Sequence, residues 1–146
     1  MIEIKFVSPE QTYEIRREIL RKNIPLTEKI QGDFEDDTFH LGAFSNGILV
    51  SVATFMKDNH QYFSGFQFRL RGMATLEKVQ GKGLGKQLIF KAEEFLKEKN
   101  VSILWCNARV VALKFYQNCG FETIGEEFEI PLIGGHYVMF KELKND

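Results

Sequence analysis

Apolar and polar residues alternate through Met1-Ile2-Glu3-Ile4-Lys5-Phe6, and that two-residue period predicts a strand over Ile2–Val7. Ser8-Pro9-Glu10-Gln11 then sets up a helix, with Ser at the N-cap, Pro at the first helical position and Gln placed to close a capping box. Ile15, Ile19 and Leu20 give that helix an apolar stripe, and Pro25 is expected to end or kink it. Arg16, Arg17, Arg21 and Lys22 read as a solvated face, and Gly32 to Asp37 as an acidic loop.

Two β-rich runs, Thr38 to Phe44 and Ile48 to Met56, flank Ser45-Asn46-Gly47. Asn-Gly takes positive φ readily, so the two runs are expected to pair as an antiparallel hairpin. Tyr62 to Thr75 reads as one long strand interrupted by Gly65 and Gly72, positions that suggest a bulge or a ligand close to the backbone. From Leu84 to Lys99 the apolar residues Leu84, Leu88, Ile89, Ala92, Phe95 and Leu96 fall at helical spacing. Val101 to Asn107 is apolar enough for a central strand, and Val110 to Asn118 reads as a short helix stopped by Gly120. Phe121 to Ile130 and His136 to Leu143 complete the chain as strands. The order β-α-β-β-β-α-β-α-β-β predicts a mixed sheet flanked by helices.

The 146 residues carry no repeat or linker, so one domain over 1–146 is expected. Fourteen Phe, spread along the whole chain, supply core to every part of it. A net charge of -1 and the lack of a dense basic stripe argue against nucleic acid as a partner. No apolar run approaches the roughly 18 residues of a membrane span, and the N-terminus lacks a secretory h-region. Cys106 and Cys119 form neither a disulfide framework nor a C-x-x-C zinc pair, so reduced thiols, no metal and a cytoplasmic location are expected.

The segment with the most chemistry is Gln80-Gly81-Lys82-Gly83-Leu84-Gly85-Lys86, between a strand and a helix. Backbone N–H groups there lack helical partners, the helix dipole favours an anion, and glycine lets phosphate oxygens approach the main chain. A Walker loop is excluded, because Gln80 stands where its first Gly belongs and Gln87 where its Ser or Thr belongs. A dinucleotide fingerprint is excluded by the G-x-G-x-G spacing and the mid-chain position. What remains is Q-x-x-G-x-G, carried by Gln80, Gly83 and Gly85.

That pattern resembles the pyrophosphate loop of the GNAT superfamily of acyl-CoA-dependent N-acetyltransferases. Ala112 to Tyr116, followed by Gln117-Asn118-Cys119-Gly120-Phe121, is similar to the same family's A-x-x-x-Y helix and its Gly-Phe strand start. One departure is Arg109, which stands where the family often has Asn; Asn107 lies two residues earlier. The resemblance implies a GNAT-like domain of the α/β (α+β) class with a mixed, mostly antiparallel sheet whose two central strands splay to admit pantetheine. It implies acetyl-CoA as co-substrate, held by Gln80 to Lys86, by the main chain of Met73, Ala74 and Thr75, and by Asn107. It leaves room for a homodimer.

It also implies an amine-bearing acceptor. Tyr116, with a reference pKa near 10, is the expected acid for a departing thiolate whose thiol titrates near 8.5. An alkyl ammonium titrates near 10.4, so a base must take its proton. His136 or Glu127 is the expected base; Glu126, Glu129 and the more distant His40 are further candidates. Asp33 to Asp37 would suit a cationic acceptor. A non-catalytic acyl-CoA sensor would keep the glycine loop but have no need of Tyr116.

Overall fold

The Ser8 hydroxyl accepts the Gln11 N–H at 3.3 Å, and the Gln11 side chain accepts the Ser8 N–H at 2.8 Å. The capping box is thus in place in the computed structural model, which describes residues 1–144. It starts α1 (Pro9–Leu20), which follows β1 (Ile2–Val7). Next come β2 (Phe39–Ser45), β3 (Ile48–Lys57) and β4 (Gln67–Thr75), then α2 (Leu84–Glu98), β5 (Ile103–Arg109), α3 (Leu113–Asn118), β6 (Glu122–Ile130) and β7 (Gly134–Glu142). This is the element order expected from the sequence. Asn46 and Gly47 turn the β2–β3 hairpin with φ of 51° and 83°.

The seven strands make one sheet in the order β1-β2-β3-β4-β5-β7-β6, antiparallel throughout except at β4–β5. One face is covered by α2, whose Leu88, Ile89, Ala92 and Leu96 pack fully buried against Phe55, Phe68, Leu70 and Leu104. The other face meets α1 through Ile15, Val52 and Ala74. Alternation along each strand therefore sorts side chains between an α2 face and an α1 face.

Three expectations are corrected. The strand expected from Tyr62 begins only at Gln67. Tyr62 to Phe66 form a loop, because Gln67 caps it, accepting from the His60 N–H at 2.7 Å and donating to the Phe63 carbonyl at 3.0 Å. Gly65, at φ 88°, turns the chain there. Helix α1 ends at Leu20, before Pro25 can act on it, and Asn23 at φ 61° turns the chain away.

Arg16, read as part of a solvated face, is 1% exposed. Its guanidinium grips both Asp33 oxygens at 2.8 and 2.9 Å and donates to Thr54 Oγ1 at 2.7 Å. Buried charge of this kind persists only when paired, and the partner lies 17 residues away, beyond the reach of a local pattern.

Candidate active site

Strands β4 and β5 pair at only three positions, Gln67–Ile103, Phe68–Leu104 and Arg69–Trp105, and then part. Beyond Arg69 the β5-facing edge of β4 has no strand partner, so its peptide groups are open to a ligand lying in the wedge. A bulge adds to the opening: Gly72 and Met73 together face Ala53 of β3, with Gly72 at φ 61°. The Gly72 position has no room for a side chain, since a Cβ there would meet Arg16 Nε at 2.9 Å. Met73, Ala74 and Thr75 line the diverging strand.

The chain leaves β4 through a short 3-10 turn at Glu77–Val79 and enters α2 at Gly83. Gln80 folds back, and its side-chain amide donates to the Thr75 carbonyl at 2.8 Å, which pins the loop to β4. Gly81 and Gly83 both have φ of 80° with open space beside them, so they are needed for backbone shape. Gly83 caps α2 without any side-chain acceptor, and no acidic residue stands in the first turn. The leading N–H groups of a 15-residue helix thus point outward unneutralised beside Lys82 and Lys86, an arrangement suited to a pyrophosphate. Gly85 differs: a Cβ there would sit 2.9 Å from the Phe115 ring, so its role is packing between α2 and α3.

Tyr116 lies on the α2 face, 9% exposed, edge-on to Phe115 and Phe121 with ring centres at 5.0 and 5.5 Å. Burial pushes its phenol well above the usual value, with smaller pushes from Cys106 and Cys119. Its hydroxyl has no hydrogen-bond partner among the described residues. Cys106 and Cys119 are free and buried, and burial raises both thiols, so neither is an activated nucleophile.

On the α1 face, His136 of β7 stands opposite Arg109 of β5, and its ring lies against Phe128 at 5.9 Å. Its Nδ1 is 2.7 Å from the Gly134 carbonyl, which can only accept, so Nδ1 carries the proton and Nε2 of the neutral ring has a free lone pair. Glu127 lies in the bulge between Ile124 and Phe128, exposed, with its carboxylate over Gly135. Glu126 and Glu129 are also exposed.

His40 is corrected to a structural residue. Nε2 donates to the Asp33 carbonyl at 3.0 Å, and Nδ1 accepts from Thr54 at 2.7 Å, which leaves no lone pair for catalysis. Asp33 is likewise committed to Arg16 and to the Ile30 N–H at 2.9 Å, so the loop does not present it to a cationic acceptor.

Asn107, opposite Val138 in β7, is on the α1 face between Trp105 and Arg109. Its Oδ1 is buried with no hydrogen-bond partner among the described residues, a condition that costs about 1–3 kcal/mol until a donor arrives. Sequence reasoning missed Arg71, which lies on the same side of the wedge; an arginine in a strand carries no local signal of what will surround it.

The family model for the acetyltransferase (GNAT) domain matches residues 7–133. The chain is 42% identical over 146 residues, 99% of its length and 98% of the relative's, to the uncharacterized N-acetyltransferase YitI of Bacillus subtilis. Its fold is similar to that of Escherichia coli ElaA, with a TM-score of 0.80 and 22% identity over 97% of this chain and 100% of that one. It also resembles an aminoglycoside 6'-N-acetyltransferase solved with coenzyme A, with a TM-score of 0.73 and 11% identity over 99% and 98% of the two chains. The open wedge, the unneutralised N-terminus of α2 and these likenesses agree, and the chain belongs to the GNAT acetyltransferases, enzymes that use acetyl-CoA.

Proposed function

We propose that the chain transfers acetyl from acetyl-CoA directly to a primary amine, with both substrates bound together and meeting in the β4–β5 wedge. The observation that carries this reading is the three-pair β4–β5 contact, beyond which the β5-facing edge of β4 is left without a strand partner. Acetyl-CoA supplies an activated thioester. The main-chain N–H groups of the loop from Gly81 to Lys86 hold its pyrophosphate with the side chains of Lys82 and Lys86, Gly85 serving there by its packing against Phe115; Gln80 fixes the loop, and the free edge at Met73, Ala74 and Thr75 pairs with pantetheine. A backbone N–H of that edge polarises the thioester carbonyl.

The acceptor amine approaches from the α1 face. His136 Nε2 takes its proton, with Glu127 as the alternative base. The C–N bond forms first, giving a tetrahedral intermediate; as it collapses the C–S bond breaks, and Tyr116 gives its proton to the leaving sulfur. Burial that keeps the phenol protonated also raises the sulfur's proton affinity in the same dry pocket, so the donor remains matched to its acceptor. The two free thiols suit a reducing compartment such as the cytoplasm.

Steady-state kinetics with varied acetyl-CoA and amine test the reading. Direct transfer gives intersecting lines in double-reciprocal plots and no CoA release without amine. Parallel lines and a burst of CoA from enzyme alone would establish an acetyl-enzyme instead.

A further inference from the structure

The α1 face of the wedge collects arginines. Arg69 and Arg71 alternate with the core residues Phe68 and Leu70 of β4, so both project to the α1 face. Arg109 closes β5 on the same face, and Arg21 reaches in from the residue that caps α1. Their partners differ. Arg69 is paired with Asp58 at 3.2 Å and stacks on Trp105 at 4.8 Å. Arg21 gives hydrogen bonds to the Thr27 and Leu20 carbonyls and has no ion pair with a carboxylate among the described residues. Among the described residues Arg71 has no hydrogen bond, ion pair or ring contact at all.

An unpaired guanidinium in a partly desolvated position is costly unless a ligand completes it. Burial, then the charges of Arg69, Arg21 and Arg16, draws Arg71 down to about 10, with Asp58 opposing. Arg21 is lowered by burial and by Arg16 and Arg109, which ties the arginines into one electrostatic neighbourhood. Asp58 is already engaged by Arg69, and Asp33 by Arg16.

Position adds to charge. Arg71 lies two residues beyond the last β4–β5 pair, and Asn107 lies two residues beyond it on β5, so they face each other across the mouth of the wedge. At about 3.3 Å per residue, that places both some 7 Å from the point where the strands part. A planar guanidinium there matches the two oxygens of a carboxylate or phosphate.

We propose that the acceptor is an amine that carries an anionic group on the same small molecule, and that Arg71, supported by Arg109 and Arg21, binds that group at the wedge mouth. The inference rests on the acetyl-transfer reading above and names its substrate class. The anion fixes the amine's distance from the thioester, so Arg71 acts mainly on binding. Polyamines and other cationic acceptors are repelled by the same side chains.

The test compares acceptors with and without the anionic group, each at a pH where both amines are largely neutral: each common amino acid against its amide, phosphoethanolamine against ethanolamine, and spermidine as the cationic extreme. The anionic member of at least one pair should have kcat/KM at least tenfold above its neutral partner, and the better pair identifies carboxylate or phosphate. Arg71→Gln should erase that preference, chiefly through KM, while the melting temperature and acetyl-CoA affinity stay near wild type; Arg71→Lys should restore part of it. Equal turnover of charged and neutral partners, a preference for spermidine, or an equal loss on both partners in Arg71→Gln would overturn the assignment. If no amine releases CoA, acetyl transfer itself fails. CoA-saturated protein titrated calorimetrically with N-acetyl amino acids and their amides then decides the anion site alone, by whether the acids bind more tightly and lose that advantage in Arg71→Gln.

Discussion

The Phe115 ring occupies the space that Gly85 leaves empty: a Cβ added to Gly85 would stand 2.9 Å from Cζ of that ring. Because Phe115 precedes Tyr116 and packs against it, the contact helps fix the proposed general acid as well as the start of α2. Gly85→Val should therefore lower both the melting temperature and turnover, a packing cost of about 1–3 kcal/mol. Differential scanning calorimetry beside an activity assay checks it, and an unchanged melting temperature would show that α3 moves aside freely.

Gly83 should behave differently, since nothing lies near its α-carbon and only its φ of 80° restricts it. Asn tolerates this backbone region, so Gly83→Asn should keep the fold yet put a side chain where the pyrophosphate must approach. Acetyl-CoA affinity should fall at least tenfold while acetyl-pantetheine, which lacks the nucleotide, is bound as before. Calorimetric titration of the two ligands separates these outcomes.

Tyr116→Phe should leave stability unchanged or slightly improved, because the hydroxyl of this buried residue has no partner to lose among the described residues. Turnover should drop roughly 10²–10⁴-fold with acetyl-CoA affinity unaltered. Wild-type turnover in that variant would reduce Tyr116 to a packing residue.

The same logic ranks the bases. His136→Asn should lower kcat by about 10²–10⁴-fold, whereas Glu127→Gln, at an exposed bulge, should stay within a few-fold of wild type. The reverse ranking would transfer the role to Glu127.

Acid should destabilise this protein through His40. Burial holds the imidazole below its ordinary value of about 6.5, against opposing pulls from Asp33, so the unfolded chain binds a proton that the folded one refuses. Stability then rises with pH across that window and is lost as pH falls below about 6.5. Asp33 adds a second loss at lower pH: burial alone would raise its carboxyl, but Arg16 and the Ile30 N–H outweigh this and hold it low. Melting temperature measured from pH 8 to pH 4 should show the first decline. His40→Asn, less stable overall, should show a flatter curve through pH 6.5.

Much of this arrangement is legible in the chain because its signals are local. The capping box at Ser8, the Asn46-Gly47 turn and the helical period after Leu84 each depend on residues a few positions apart. Where the decisive partner is distant, the pattern misleads. Tyr62 and Phe63 have strand-forming side chains, yet they pack on His60 and on Phe140 of β7 as a loop. Arg16 and Asp33 look like surface charges until they meet. Gly85 reads as part of a phosphate loop, and only the position of Phe115 reveals its packing role. Arg71 shows the limit most clearly, since what distinguishes it is the lack of a partner among the described residues.

The short seam between β4 and β5 has a mechanical side. Three rungs join a half-sheet of β1 to β4 to another of β5, β7 and β6, while the core residues Phe68, Leu104, Tyr116 and Met139 clasp the two from the α2 side. In the proposed complex, the ligand arm bonds to the β4 half through its amides and thioester carbonyl, and meets Tyr116, beside the β5 half, through its sulfur. The co-substrate then works as a tie-rod, and amide exchange at Leu70 to Thr75 and at Cys106 to Arg109 should slow together when it binds. On the proposed reading, product CoA still bridges both halves after acetyl transfer, and its release should be slowed by whatever stiffens this seam.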